Sequence, residues 1–420
     1  LTGVQQGAPG LFSGNTGRGR SLLAGGIATI GCAVVLNERD LVRVGVFVAA
    51  LPLLALALTA WTRRAIEVQR QVTPERLPVG TDSGVALRLS GGPLIGSMQL
   101  IDTVPDSAGP QADAPPRFTV HRLSPRTGVE LRYPLRPVRR GVHRVGPLTT
   151  RVTDPLGLTE LEREVRGTRG LLVLPRVTPL QGTPPALGAG EGTPGASLSH
   201  QGMGQSDVLV REYRLGDELR RVHWRSTARH DELMVRLEER PWRGAITVLL
   251  DRRDIAHRGR GTGSSLEFAV ELTASICVHL IRRGEPVTLV FEDGSFPTGT
   301  EPSSGAAAAD AILDVLAALR PSARSELGGP ALAHGDVLAV LGAAEPAQLD
   351  ALVASCPGAG HAVLLDVATW DPATTTAAPP VDPAASALRR ADWHVTVAGA
   401  DSTPGRAWED LLHTAVRAGG

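Results

Sequence analysis

The chain has 420 residues, 42% of them apolar, enough for two or three domains with real cores. Its formal net charge is zero, with 43 basic residues balanced by 43 acids, and this argues against a nucleic-acid surface, which needs a clear basic excess. All the basic residues are arginine, so no Walker A lysine exists and any ATP hydrolysis must come from a partner. With lysine absent and Ala, Gly, Pro and Arg abundant, a GC-rich genome is the simplest source of the composition. Cys32, Cys277 and Cys356 are too far apart for a disulfide framework or a zinc motif, and each reads as a small core residue.

After an N-terminal tail (1–20), residues 21–64 read as a transmembrane hairpin. Ser21–Leu36 and Val44–Trp61 are uncharged, and Asn37–Arg43 between them is charged. Helices of this length reach roughly 24–27 Å, close to a hydrocarbon core of about 30 Å. A second apolar run following at once, with no small-residue cleavage pattern at Asn37–Asp40, argues against a cleavable signal peptide. Gly25, Thr29 and Ala33 form one small-residue face for close helix approach, and Ala24, Ala28 and Cys32 form its neighbour. Arg18, Arg20, Arg63, Arg64 and Arg70 flank the pair, against Arg39 and Arg43 in the loop, which predicts cytoplasmic ends and a cytoplasmic body. The lipid bilayer is therefore one expected partner, through residues 21–61.

Residues 65–180 read as a small β-sandwich. Val85–Leu89, Phe118–Arg122, Val129–Tyr133 and Gly170–Pro175 are its clearest strands. Arg139-Arg-Gly141 is expected to turn Tyr133–Val138 into Val142–Val145, and Asp154-Pro-Leu-Gly157 has type I turn chemistry. Residues 181–206 form a Gly/Pro/Ser-rich linker. From 244 to 420 strands and helices alternate: strands at Ala245–Asp251, Pro286–Phe291, Asp336–Leu341, His361–Leu365 and Trp393–Val397, and helices at Ser264–Arg283, Gly305–Leu319, Ala347–Ala354 and Ala407–Arg417. That pattern predicts a doubly wound, mostly parallel sheet. The first of these helices carries a capping box, Ser264 with Glu267.

Residues 207–243 stand out. Arg211–Arg229 holds six arginines, three acids, Tyr213 and Trp224. A solvated charge run needs no aromatics, so something folds around this segment. Two readings stay open: an ion-pair seam between the β-rich and α/β parts, or a docking face for a partner protein. Arg211, Tyr213, Gly216, Asp217, Arg221, Trp224, Arg225 and Arg229 are the residues on which either would rest, with Asp217 capping a short helix after Gly216.

The run REYRLGDELRRVHWRSTARHDELMVRLEE resembles the signature of the domain-of-unknown-function 58 family, in its actinobacterial type. Arg139–Pro147 and Asp154–Leu158 are similar to further family features. The resemblance implies an α/β von Willebrand factor type A-like (Rossmann-like) domain, preceded by a small β-sandwich and an N-terminal transmembrane hairpin. It also implies association with a MoxR-type AAA+ ATPase, and so a membrane-anchored, non-enzymatic adaptor in the plasma membrane. Type A domains hold a cation through Asp-x-Ser-x-Ser. The matching positions here are Asp251, Arg253 and Ile255, where both serines are gone and Arg253 puts a positive charge at the ion's place. No metal or other cofactor is expected. The competing readings are a metal-dependent hydrolase of envelope material and a purely structural membrane scaffold. Neither HExxH nor GxSxG occurs.

Overall fold

The computed structural model describes residues 14–92, 94–108, 115–123, 128–165, 167–184, 187, 210–212, 234–236, 246–297, 305–328, 336–356, 360–371 and 378–418. Of the segment read above, Val210–Glu212 and Met234–Arg236 form a short antiparallel pair, β11 and β12, so Arg211 is placed on a strand. Tyr213, Gly216, Asp217, Arg221, Trp224, Arg225 and Arg229 lie outside the described residues. The chain divides into two compact units, Leu1–Arg176 with Leu313–Leu319, and Val177–Ile312 with Arg320–Gly420.

The first unit begins with two helices, α1 (Gly17–Leu36) and α2 (Arg39–Ala65), each long and apolar enough to cross a membrane. The charged loop expected over Asn37–Arg43 shrinks to two residues. Asn37 takes a left-handed conformation (φ 57°) and returns its N–H to Ala33 and Val34, so Arg39 already starts α2. Pro52 sits inside α2 without ending it. The small-residue face also differs from expectation. Gly19, Gly26 and Ala33, seven apart, are the buried residues of α1. A Cβ on Gly26 would lie 2.7 Å from the Ala49 backbone nitrogen, and one on Gly45 2.7 Å from Ile30, whereas Gly25 faces open space. Antiparallel helices meeting at a shallow angle keep one heptad-spaced seam, so Gly25, Ala24 and Cys32 turn outward. Cys32 is exposed accordingly, while Cys277 and Cys356 are buried.

The β-rich region follows directly on α2. It contains β1 (Ile66–Thr73), β2 (Arg76–Pro78), β3 (Ser83–Gly91), β4 (Ser97–Asp102), β5 (Arg117–Val120), β6 (Val129–Leu135), β7 (Gly141–Val145), β8 (Leu148–Thr153), β9 (Glu160–Val165) and β10 (Arg169–Leu174). They make three sheets, β1-β3-β6, β2-β10-β7 and β5-β4-β8-β9. One apolar cluster joins them, with Val85, Leu87 and Leu89 of β3 facing Met98, Leu100, Leu148, Val152 and Leu171. The expected turn at Arg139–Gly141 does not make a hairpin, because β6 pairs with β3 and β7 with β10. Arg70, expected as a flanking charge of the membrane, is drawn into this core. Its guanidinium pairs with the carboxylate of Asp102, which also accepts the Tyr133 hydroxyl at 2.5 Å. Burial, and then the Asp102 charge, push the Tyr133 phenol well above its ordinary pKa.

The base of the hairpin is hydrogen-bonded to the β8–β9 turn. Thr16 caps α1 and its hydroxyl reaches the carbonyls of Gly157 and Leu158 at 2.8 and 3.0 Å. Asn15 bridges Thr159, and the Thr59 hydroxyl of α2 meets the Thr159 hydroxyl at 2.8 Å. Asp154 organises the turn by accepting from Leu156 N and Thr159 N at 2.9 and 2.5 Å. Gly19 is required here, since a Cβ would collide with the Leu158 carbonyl.

The second unit carries a five-stranded parallel sheet ordered β14-β13-β15-β16-β17, with β13 (Ile246–Leu250), β14 (Val287–Phe291), β15 (Val337–Leu341), β16 (Gly360–Leu365) and β17 (His394–Ala398). The helices from here on are α3 (Ser265–Arg282), α4 (Ala306–Ala318), α5 (Pro346–Ala354), α6 (Val381–Arg390) and α7 (Pro404–Ala418), all in the second unit except the part of α4 from Leu313 onward. Leu349 and Leu352 of α5 and Ala385 and Leu388 of α6 pack on one face of the sheet, while α3 and α7 lie on the other. The sheet is thus doubly wound, in keeping with the alternation read from the sequence. Helix α3 is buried almost all round, because Val177–Gly182 packs on it. The Thr178 amide donates to Ser275 Oγ at 2.9 Å, and the indole of Trp408 on α7 donates to the Gln181 carbonyl at 2.8 Å. Gln181 and Gly182, assigned to the linker by composition, are therefore fixed in place.

Candidate functional site at the carboxyl edge of the parallel sheet

In an open parallel sheet the ligand crevice opens at the carboxyl edge, where the winding reverses. Here that point lies between β13 and β15. The chain leaves β13 through Asp251 and β15 through Gly342, and the two loops touch. A Cβ on Gly342 would strike the Ala256 carbonyl, and Ala343 N donates to that same carbonyl at 2.9 Å.

Arg253 fills the reversal point. It is 1% exposed beside Asp251 at 0%. Nε donates to Asp251 Oδ1 at 3.0 Å and Nη2 to Oδ2 at 2.8 Å, a bidentate pair. Nη2 also reaches the Ala343 carbonyl at 3.1 Å, and Nη1 reaches the Ser325 carbonyl at 3.0 Å and Gln348 Oε1 at 3.2 Å. A guanidinium has five N–H donors, and all five are used. Asp251 is equally occupied, because its two oxygens also accept Arg253 N at 3.0 Å and Gly342 N at 3.3 Å. The carboxylate thus accepts four hydrogen bonds, which uses its ordinary capacity. The crevice is closed by the protein's own cation.

Ile255 does not enter the crevice and is 52% exposed. Asp254 is exposed too, and it does not join Asp251 and His257 in a metal-holding group. His257 is buried and touches Asp251 through the backbone, its Nε2 meeting the carbonyl at 2.8 Å while Nδ1 meets Ser265 Oγ at 3.0 Å. Burial, outweighing the attraction of Asp251, lowers its pKa and keeps the ring neutral. Among the described residues no group of His, Cys, Asp and Glu has a metal-holding arrangement.

Next to this plug, Arg252 ties β13 to β14. Its Nε donates to Glu292 at 3.1 Å, Nη2 lies 3.5 Å from Asp293, and the guanidinium stands 4.3 Å over the Phe291 ring. Phe296, five residues beyond β14, is 60% exposed. The carboxyl edge therefore offers two outward apolar side chains, Ile255 and Phe296, beside arginines. Asp251, Arg253 and Ile255 are legible in the sequence, whereas Gln348 and Ser325 are not. The one signal for Gln348 is its place as the reciprocal member of the Glu345 capping box on α5. Ser325 contributes only a backbone carbonyl, which leaves no trace in side-chain identity.

Two solved structures align with parts of the chain. The CARDB domain of the PF1109 protein from Pyrococcus furiosus is 15% identical, covering 26% of this chain and 94% of that one, with a TM-score of 0.18. The Pseudomonas fluorescens alkylpurine DNA glycosylase AlkC is 13% identical, covering 31% of this chain and 39% of that one, with a TM-score of 0.15. Scores this low carry no argument about fold. The uncharacterized protein YeaD of Bacillus subtilis (strain 168) is 26% identical over 311 residues, spanning 70% of this chain and 75% of that protein. Residues 209–340, from the start of β11 through most of β15, match the family described as protein of unknown function DUF58.

Proposed function

We propose that this protein is a membrane-anchored, non-enzymatic adaptor whose α/β unit is of von Willebrand factor type A kind and docks a partner protein at the carboxyl edge of its sheet. The observation that carries the reading is the saturated Arg253–Asp251 pair, which leaves no open coordination or hydrogen-bonding capacity at the place where such sheets hold small ligands. Exposed Ile255 and Phe296 on the same edge are the side chains a protein partner can bury. The partner in this reading is a MoxR-type AAA+ ATPase, on the resemblance drawn from the sequence.

In this reading α1 and α2 cross the plasma membrane with both ends cytoplasmic, as Arg18, Arg20, Arg63 and Arg64 on the flanks favour. A hydrolase would need a cation at Asp251, and Arg253 would first have to leave, exposing a buried carboxylate. The test is reconstitution of the full chain in detergent with a purified MoxR-type ATPase. The expected result is a complex that survives gel filtration and is weakened by Ile255→Asp or Phe296→Asp. A wild-type protein that forms no complex overturns the reading.

A further inference from the structure

A cavity of about 580 Å³ in the first unit lies along the free edge of β1. Its walls include Val68, Gln69, Arg70 and Gln71, four consecutive residues of that strand. Side chains alternate between the two faces of a strand, so four in succession bring both faces of β1 to the cavity, and Arg88 of β3 reaches it as well. β1 is eight residues long and ends its sheet, pairing only with β3 among the described strands. On the side away from β3 its backbone N–H and C=O groups pair with no strand among the described residues, a template for a further strand. The opposite wall is the β9–β10 corner, with Gly167, Thr168 and Arg169.

The lining is positively charged. It holds Arg70, Arg88 and Arg169 against the single acid Glu75. Arg70 is neutralised by Asp102. Arg88 and Arg132 share the one carboxylate of Glu130, which leaves a charge over. Arg169 makes no ion pair among the described residues. Gln69 and Gln71 add amide donors.

We infer that the free edge of β1 binds an extended acidic peptide segment as an added antiparallel or parallel strand. Main-chain hydrogen bonds to β1 supply the affinity, and Arg88 and Arg169 select for acidic side chains. This surface is independent of the carboxyl edge of the α/β sheet, so it stands or falls separately from the adaptor reading.

The experiment uses the full chain in detergent and a fluorescent peptide of about eight residues alternating valine and glutamate, followed by anisotropy. Saturable binding is expected. A peptide of the same sequence with alternate backbone amides N-methylated should bind at least about tenfold more weakly, since it loses one edge of donors. The exposed pair of substitutions Arg88→Glu and Arg169→Glu should weaken the unmodified peptide by a similar factor. If that variant proves unfolded by circular dichroism, the N-methyl comparison on the wild-type chain decides. No saturable binding, equal binding of the N-methylated peptide, or equal binding of a valine–lysine peptide overturns the proposal.

Discussion

Arg253 and Asp251, two residues apart, lock side chain to side chain and seal the reversal point of the parallel sheet, Nη2 lying 2.8 Å from Oδ2. Local sequence makes the pair possible and the fold makes it buried. Removing one partner leaves the other charged and without compensation. Arg253→Met should cost about 3–5 kcal/mol, while the double change Asp251→Leu with Arg253→Met should recover most of that loss. Denaturant unfolding of the detergent-solubilised protein, followed by tryptophan fluorescence, reads both. Equal stability of the single and double variants would refute the pairing.

His361 makes stability depend on pH. It is fully buried at the start of β16, its two ring nitrogens have no hydrogen-bond partner among the described residues, and the tilted ring of His394 on β17 lies 5.0 Å away. Burial first, and His394 second, lower its pKa from 6.5 to about 4. The unfolded chain therefore takes up this proton near pH 6.5 while the folded one resists until about pH 4. Stability is full above the unfolded value and falls across that window as pH drops, by about 3 kcal/mol in total. His257, lowered in the same direction, adds a slope of the same sign. His361→Phe should flatten the dependence of the unfolding midpoint between pH 6.5 and 4, and a slope unchanged in that variant would count against the assignment.

Two glycines one residue apart in α1 should respond oppositely. Gly26→Leu places side-chain atoms against the Ala49 backbone and should separate the hairpin, whereas a Cβ at Gly25 meets nothing within 4 Å and Gly25→Leu should leave it closed. Disulfide trapping between cysteines introduced across the seam measures this, with loss of cross-linking expected for Gly26→Leu alone.

Asp154 should control the junction between hairpin and β8–β9 turn. Asp154→Ala strips the acceptor from the amides of Leu156 and Thr159, at a cost of about 1–3 kcal/mol for buried donors left unpaired. Hydrogen exchange of residues 155–160 should accelerate while that of α3 stays unchanged.

Much of the α/β unit was legible in the sequence because its information is local. The five parallel strands are short apolar runs bounded by Gly and Pro, and Ser264 and Gly284 mark the ends of α3 in the expected manner. Helix α6 (Val381–Arg390) carries little signal in the sequence, since its apolar face is built from alanines and one leucine. The β-rich region was half legible. β3 and β6 alternate clearly and β10 is a short apolar run, but β9, Glu-Leu-Glu-Arg-Glu-Val, has Arg163 between its two apolar residues and is a strand through its pairing with β8. β1 hides an arginine at an inward position, which is tolerable only because Asp102, thirty-two residues later, stands opposite.

By itself, then, the sequence determined two apolar helices, a β-rich region, a parallel α/β unit, and an Asp251 without the serines that would complete an ion site. These follow from periodicity, composition and residue identity, which short-range sterics and hydrophobic burial translate directly into structure. Tertiary structure alone decided which glycines form the hairpin seam, that β6 and β7 belong to different sheets, and that Arg253 turns inward to meet Asp251, Ala343, Ser325 and Gln348. Each of these depends on what a residue meets across a long separation in the chain, and the energy of a buried charge or a close helix contact is set by that neighbour.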